Sequence, residues 1–400
     1  MNVIIKSVII GAIAFLSMQN AVSQTSSIRF PKQRSASVGI VVRNLATGKD
    51  VVAENPDRFL TPASILKCVT AAAAILDGRE NDIFTTETMI SGDIGSDGTL
   101  YGDIIIKGIG DPTTESPQFP ESCGMADSIA IRLQRRGIRR VAGGITIDSI
   151  GFKNQGPIGK WEVEDLKWAY GAGLYPLNFQ DNTIGVDRAS SEPGEAFVDA
   201  LEARLLCDSV KVNWNEAGMF ASSTTPLYAH RSPTVARIMR VMMEKSNNMY
   251  AESMLRMLAP GQSMDVALKR EMEILANAGF DSDELTAFDG SGLTRNSKVT
   301  PRFMANLLQR MAKGEKGSLY VSLFPKVGIE GTVKRLLKNT CLEGKLALKS
   351  GSMNGVQCFA GYKIDTKGVP THVVVIMVND FICKRALVNK GISDFLLKLF

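Results

Sequence analysis

Thr61-Pro62-Ala63-Ser64-Ile65-Leu66-Lys67-Cys68-Val69 begins the stretch that decides the fold. Thr61 can cap a helix, Pro62 fits its first position because the missing N–H is unpaired there anyway, and the apolar Ala71–Leu76 continues the run. Ser64 and Lys67 then stand at i and i+3 on one helix face. Ser64 falls in the first turn, where unpaired N–H groups and the positive dipole end favour a developing oxyanion. Lys67, flanked by Ile65, Leu66, Cys68 and Val69, reads as buried. Alone, the Ser-x-x-Lys pattern is weak, since about one or two copies are expected by chance in a chain of this size. The plain alternative is an ordinary helix start carrying a solvated lysine.

Composition sharpens that choice. The 400 residues are 44% hydrophobic and 22% charged, which excludes a disordered or collagen-like polymer. Only two histidines occur, His230 and His372, so a Ser-His-Asp site or a metal site built on several histidines has almost no material. Lysine with a depressed pKa is the next candidate base. A net charge of +5 is too mild to imply nucleic acid. The six cysteines include no Cys-x-x-Cys, so no zinc or redox motif is supported, no pairs are assigned, and neither metal nor cofactor is expected. Cys68 reads as a buried thiol.

Residues 1–23 read as a signal peptide, with Lys6, the apolar run Val8–Phe15 and cleavage near Ser23. Ser17, Gln19 and Asn20 break the apolar run before it reaches the roughly 20 residues of a spanning helix. The expectation is an exported, periplasmic protein with no membrane span in the mature chain.

Strand patterns at Ser37–Arg43 and Asp50–Ala53 flank a turn at Ala46–Lys49. From about Glu80 to Thr225 the chain is glycine-punctuated and short-stranded, as at Thr99–Ile106, Val141–Ile147 and Gly185–Arg188. Ser232-Pro233 reads as a second cap and first position, followed by Val235, Ile238, Met239 and Met242 at helical spacing. Helical patterns run through Leu258, Val266–Ala278 and Pro301–Ala312. Strands return at Leu346–Lys349, Val356–Lys363 and His372–Val378, before a final helix at Lys390–Phe400. Strands at both ends with helices between them predict one sheet assembled from both termini and interrupted by an insertion. The expected division is a catalytic domain of residues 24–80 and 226–400, with a β-rich inserted domain, with or without a subdomain of its own, at 81–225.

Two further clusters join Ser64 and Lys67. Ser246-Asn247-Asn248 interrupts a helical, methionine-rich run with three poor helix formers. Its functional reading gives Ser246 a proton-relaying hydroxyl and Asn248 an amide for the substrate backbone; its plain reading is an interhelical turn. Lys349-Ser350-Gly351-Ser352 ends a strand. Lys349 supplies positive charge beside the nucleophile, Ser350 a hydroxyl for a substrate carboxylate, and Gly351 room for a substrate backbone at the strand edge. Its plain reading is a hairpin leading to the turn Met353-Asn354-Gly355.

In this order, the three clusters form the signature of serine penicillin-recognising enzymes. Asn248 to Lys349 is 101 positions (349 − 248 = 101), while Ser64 to Ser246 is 182 (246 − 64 = 182), far longer than in class A β-lactamases. The excess coincides with the β-rich stretch. The chain therefore resembles the class C low-molecular-mass penicillin-binding proteins, the D-alanyl-D-alanine carboxypeptidase/endopeptidase (DacB) family, over essentially its whole mature length. Lys107–Thr113, Ser246–Glu252, Asp289–Arg295 and Gly328–Thr332 also match the family pattern. Three departures stand out: Lys-Ser-Gly replaces Lys-Thr-Gly, Asn247 stands where Asp is common, and the insertion reads as shorter than in longer members.

The resemblance implies an α/β (α+β) fold: a serine β-lactamase/transpeptidase-like domain with a central antiparallel sheet flanked by helices, interrupted by the insertion. It implies cleavage of peptidoglycan stem peptides (muropeptides) at D-Ala-D-X bonds, with β-lactam antibiotics as covalent inhibitors. Ser64 would be nucleophile and Lys67 general base, with Ser64 and Ser352 N–H groups as oxyanion hole. Ser246 and Lys349 would protonate the leaving amine, and Asn248 would hold the acyl side. Ser350, Ser352 and Arg295 would meet the substrate carboxylate, while Asp111 shapes a loop. The rivals are a β-lactamase, disfavoured by the lack of a Glu-x-x-Leu-Asn deacylating motif, and a non-catalytic peptidoglycan-binding homologue, disfavoured by the intact serine and lysines.

Overall fold

The computed structural model describes residues 28–153, 156–158, 160–183, 192–205, 212–215 and 224–400. The expected signal peptide, the strand at Gly185–Arg188 and Cys207 lie outside the described residues.

A five-stranded antiparallel sheet draws on both ends of the chain. Its strands are β1 (Ser37–Asn44), β2 (Asp50–Glu54), β3 (Leu346–Met353), β4 (Val356–Ile364) and β5 (Pro370–Asn379), in the order β3-β4-β5-β1-β2. In β5, Val373, Val375 and Met377 face one core, while Val374, Ile376 and Val378 face another. Burial on both faces explains why β5 is a continuous apolar run rather than an alternating one. One face is covered by α1 (Lys67–Leu76), α2 (Val235–Lys245), α3 (Asn248–Arg256), α4 (Met264–Asn277) and α5 (Pro301–Lys313). The other is covered by α6 (Arg385–Leu399), through Val388, Ile392 and Leu396. The fold is thus the mixed α/β class anticipated, with a central antiparallel sheet flanked by helices.

Between α1 and α2 the chain builds a second five-stranded sheet, in the order Thr224–Arg231, Thr85–Ser91, Ile104–Lys107, Ile145–Asp148 and Val212–Asn215. The pairings of Ile104–Lys107 with Ile145–Asp148, and of the latter with Val212–Asn215, are parallel. Helices Met125–Arg135 and Pro193–Glu202 share the core of this sheet through Ile129, Leu133, Phe197 and Leu201. Thr99–Ile106 is two strands, Thr99–Tyr101 and Ile104–Lys107, and the first joins a separate three-stranded sheet. Val141–Ile147 divides likewise into Arg140–Val141 and Ile145–Asp148.

Both expected helix starts shift. Thr61 does not cap: its hydroxyl donates to the Arg295 carbonyl and accepts from Lys298 Nζ, and Ala63–Leu66 forms a 3₁₀ turn that leads into α1. Ser232 is likewise committed elsewhere, accepting from Phe84 N–H, so α2 starts after Thr234. In both places a tertiary partner takes the hydroxyl that local reading assigned to a cap. Among the described residues no helix is long and apolar enough to cross a membrane, and no group of three or more His, Cys, Asp or Glu side chains could hold a metal.

Candidate active site

Ser64 sits in the 3₁₀ turn, directly after Ala63, whose φ of 47° is unusual for a residue with a side chain. Two glycines permit this turn to be tightly surrounded. Gly292, at φ +77°, lies against the Ala63 carbonyl, where a Cβ would collide with it. A Cβ on Gly351 would stand 2.6 Å from Pro62 O and 2.9 Å from Ser64 N. Gly351 therefore makes room for the Ser64 turn, on an edge strand of the sheet. The consequence is that β3 passes directly beside Ser64.

Lys67, the first residue of α1, is fully buried. Its Nζ lies 2.9 Å from Ser64 Oγ, 2.6 Å from Asn248 Oδ1 and 2.8 Å from the Ser291 carbonyl. The Asn248 orientation is fixed from its other end, where Nδ2 donates to the Tyr170 carbonyl at 2.9 Å. Two of the three partners of Lys67 can therefore only accept. A neutral amine has two N–H groups and one lone pair, which matches two obligate acceptors and one hydroxyl. Burial lowers the Lys67 pKa to about 7, opposed by the nearby Glu252 and Asp289.

Those two carboxyl groups shape the loop behind Lys67. Glu252 accepts from Gly290 N–H and Ser291 N–H, and Asp289 accepts from Gly292 N–H, Thr294 N–H and the Thr294 hydroxyl. Trp161 Nε1 also donates to Asp289, at 2.9 Å. Burial, then Asp289, pushes the Glu252 carboxyl up to about 8.

The second pair mirrors the first. Ser246 ends α2 in a left-handed conformation, φ 60°, and Asn247 then caps α3 by accepting from Tyr250 N–H. Ser246 Oγ lies 2.8 Å from Nζ of the fully buried Lys349, which also donates to the Ser350 carbonyl. Burial, then the charge of Lys67, holds the Lys349 pKa well below its usual value.

A cavity of about 860 Å³ opens above these groups, lined by Ser64, Ser246, Asn248, Arg295, Ser350 and Ser352. Lys67 and Lys349 lie beneath its floor. Ser350 Oγ is 2.7 Å from Thr332 Oγ1, and Arg295 donates to the Asn354 carbonyl at 3.3 Å. Arg335 and Arg385 add positive charge to the wall. Neither His230 nor His372 lines the cavity. Asp111 is buried and accepts from Thr113 N–H and its hydroxyl, inside its own loop.

Reading the sequence gave no role to Glu252, Asp289, Ser291, Thr332, Tyr170 or Trp161. Glu252 carried a usable signal, standing four residues after Asn248 on the same helix face. Tyr170 and Trp161 carried none, because they reach the centre from the long stretch between α1 and α2.

Residues 25–212 and 180–394 match the family described as D-Ala-D-Ala carboxypeptidase 3 (S13). The chain is 24% identical to a D-alanyl-D-alanine carboxypeptidase of Actinomadura sp. (strain R39), a match covering 83% of this chain and 76% of the relative. Identity is again 24% to the D-alanyl-D-alanine carboxypeptidase DacB of Haemophilus influenzae, over 83% of each. The crystal structure of penicillin binding protein 4 (dacB) from Haemophilus influenzae superposes with a TM-score of 0.79 at 20% identity, covering 92% of this chain and 97% of that one.

Proposed function

The chain belongs to the D-Ala-D-Ala carboxypeptidase 3 (S13) family and is a peptidase, and on that premise we propose that it cleaves D-Ala-D-X bonds of peptidoglycan stem peptides through an acyl-enzyme on Ser64. One observation carries the reading: a buried lysine whose pKa sits near neutrality has, among the described residues, only one partner able to give it a proton, and that partner is Ser64.

Neutral Lys67 accepts the Ser64 proton as Oγ attacks the substrate carbonyl. The Ser64 and Ser352 N–H groups hold the oxyanion, in keeping with the passage of β3 beside the Ser64 turn. The proton that Lys67 took from Ser64 then passes by way of Ser246 and Lys349 to the departing amine, which leaves Lys67 neutral again. Asn248 orients Lys67 and the acyl side, while Ser350, Ser352 and Arg295 take the substrate carboxylate. Water then attacks the ester as neutral Lys67 takes its proton, and Lys67 returns that proton to Ser64 Oγ as the acyl group leaves. A β-lactam enters by the same attack, but its leaving group stays tethered, so the adduct persists.

The reading extends to three finer points. The catalytic domain comprises residues 24–80 and 226–400, interrupted at 81–225; the protein works in the periplasm after cleavage near Ser23; and both terminal D-alanine and cross-linked stems are substrates. Fluorescent penicillin tests the chemistry: stable labelling that Ser64→Ala abolishes is expected, whereas rapid turnover of label indicates a β-lactamase and no label a binding protein. Digestion of defined monomeric and cross-linked muropeptides tests specificity, and release of D-alanine alone removes the endopeptidase half.

A further inference from the structure

One face of α3 carries Asn248, Glu252 and Arg256 at four-residue spacing. Asn248 meets Lys67, whereas Arg256, about 12 Å further along by helical rise, lines a second cavity of about 610 Å³. Phe84, Ile150, Met257 and Pro260 give that cavity apolar walls, and the Lys107–Gly110 run borders it.

Arg256 is only 6% exposed, and neither Nη1 nor Nη2 has a hydrogen-bond partner among the described residues. The Phe152 ring lies over the guanidinium, 3.6 Å from Cζ to ring centroid. A ring on the flat face leaves the in-plane N–H donors unsatisfied. Gly110, at φ +76°, is needed for this stack, since a side chain there would strike Phe152. The other charges around the cavity are engaged. Asp82 pairs with Arg79, Asp148 accepts from Ile150 N–H, and Lys107 lies 3.6 Å from Glu87. Burial alone acts on Arg256, lowering its pKa to about 10, so it stays charged at neutral pH. A buried cation without an acceptor is costly, and an apolar side chain would avoid the cost.

We infer that the cavity beside Arg256 is a second binding site, which takes an organic carboxylate with an apolar body, such as the free C-terminus of a peptide. The carboxylate accepts from the in-plane guanidinium N–H groups, with Phe152 kept on the flat face, and the apolar walls take the side chain. Binding here is separate from the chemistry at Ser64 and does not depend on it.

Methionine methyl groups give each cavity its own reporter: Met257 for this one, Met353 for the cavity above Ser64. In protein labelled with ¹³C at these methyls and assigned through Met257→Leu and Met353→Leu, N-acetyl-D-alanine should shift the Met257 signal saturably. N-acetyl-D-alaninamide, lacking the carboxylate, should require at least about tenfold higher concentration, the worth of one charge-assisted hydrogen bond. Acetate, lacking the body, should also be weaker. Arg256→Leu should abolish the Met257 response and Arg256→Lys retain part of it; should Arg256→Leu not fold, the acid and amide comparison in the unaltered protein carries the test. A static Met257 signal overturns the inference. A response at Met353 alone also overturns it, while leaving the Ser64 reading intact. Equal responses to acid and amide overturn the role of the carboxylate, and equal responses to acetate overturn the role of the apolar body.

Discussion

Lys67 and Arg256 are two cations withdrawn from water near opposite ends of α3, and they are partnered in opposite ways. Around Lys67 every direction is filled, by Asn248 Oδ1, the Ser291 carbonyl and the Ser64 hydroxyl. Around Arg256 the terminal nitrogens meet no acceptor among the described residues. Burial lowers the pKa of both. The difference shows that burial makes a cation uneasy, while the partners decide how the unease is relieved. Lys67 can give up its proton and take one from Ser64, whereas a guanidinium cannot deprotonate near neutral pH and needs an anion instead.

The largest effect should come from Lys67→Met, which removes the base but keeps an unbranched side chain of similar length. Acylation by fluorescent penicillin is expected to fall by on the order of 10³. Retention of most of the rate would break the contrast at its stronger side. Asn248→Ala should cost roughly 10- to 100-fold in the same assay, because it deletes one fixed acceptor of Lys67 and leaves the Tyr170 carbonyl without its donor. Thr332→Val should be milder. It removes the partner of Ser350 Oγ, so KM for a carboxylate-bearing peptide should rise about fivefold with kcat little changed. The smallest effect, and the one that sharpens the other side, is Arg256→Leu. Thermal unfolding should show a melting temperature a few degrees higher, since an unpaired buried charge is replaced by an apolar group. A lower melting temperature would mean that the stack on Phe152 stabilises the fold more than the unpaired charge costs.

Much of this was legible in the sequence, for identifiable reasons. The two-faced burial of β5 is written as an unbroken apolar run, and Ser246-Asn247-Asn248 announces itself as polar residues inside a helical pattern. Local rules failed where a distant partner took over. Thr61 and Ser232 look like caps, yet Lys298 and Phe84 claim their hydroxyls. The close approach of Gly351 to the Ser64 turn is likewise a contact between distant segments that the local sequence does not announce. The parallel pairings around Ile145–Asp148 depend on contacts between segments far apart in the chain, which a period-two pattern does not encode. Tyr170 and Trp161 were invisible because nothing in their neighbouring residues signals a contact with Asn248 or Asp289.

The central claim is that Lys67 serves Ser64 as a neutral base. With its pKa lowered to about 7 by burial, its protonated form dominates below that pH and cannot accept a proton, so the reactive form grows as pH rises through neutrality. The most direct measurement is the rate of penicillin acylation of the unaltered protein between pH 5.5 and 9, on the order of one point per half unit. The account predicts an ascending limb with a midpoint near 7, lost from the residual activity of Lys67→Met. A rate that is flat across that range, or a limb that survives in Lys67→Met, would contradict it.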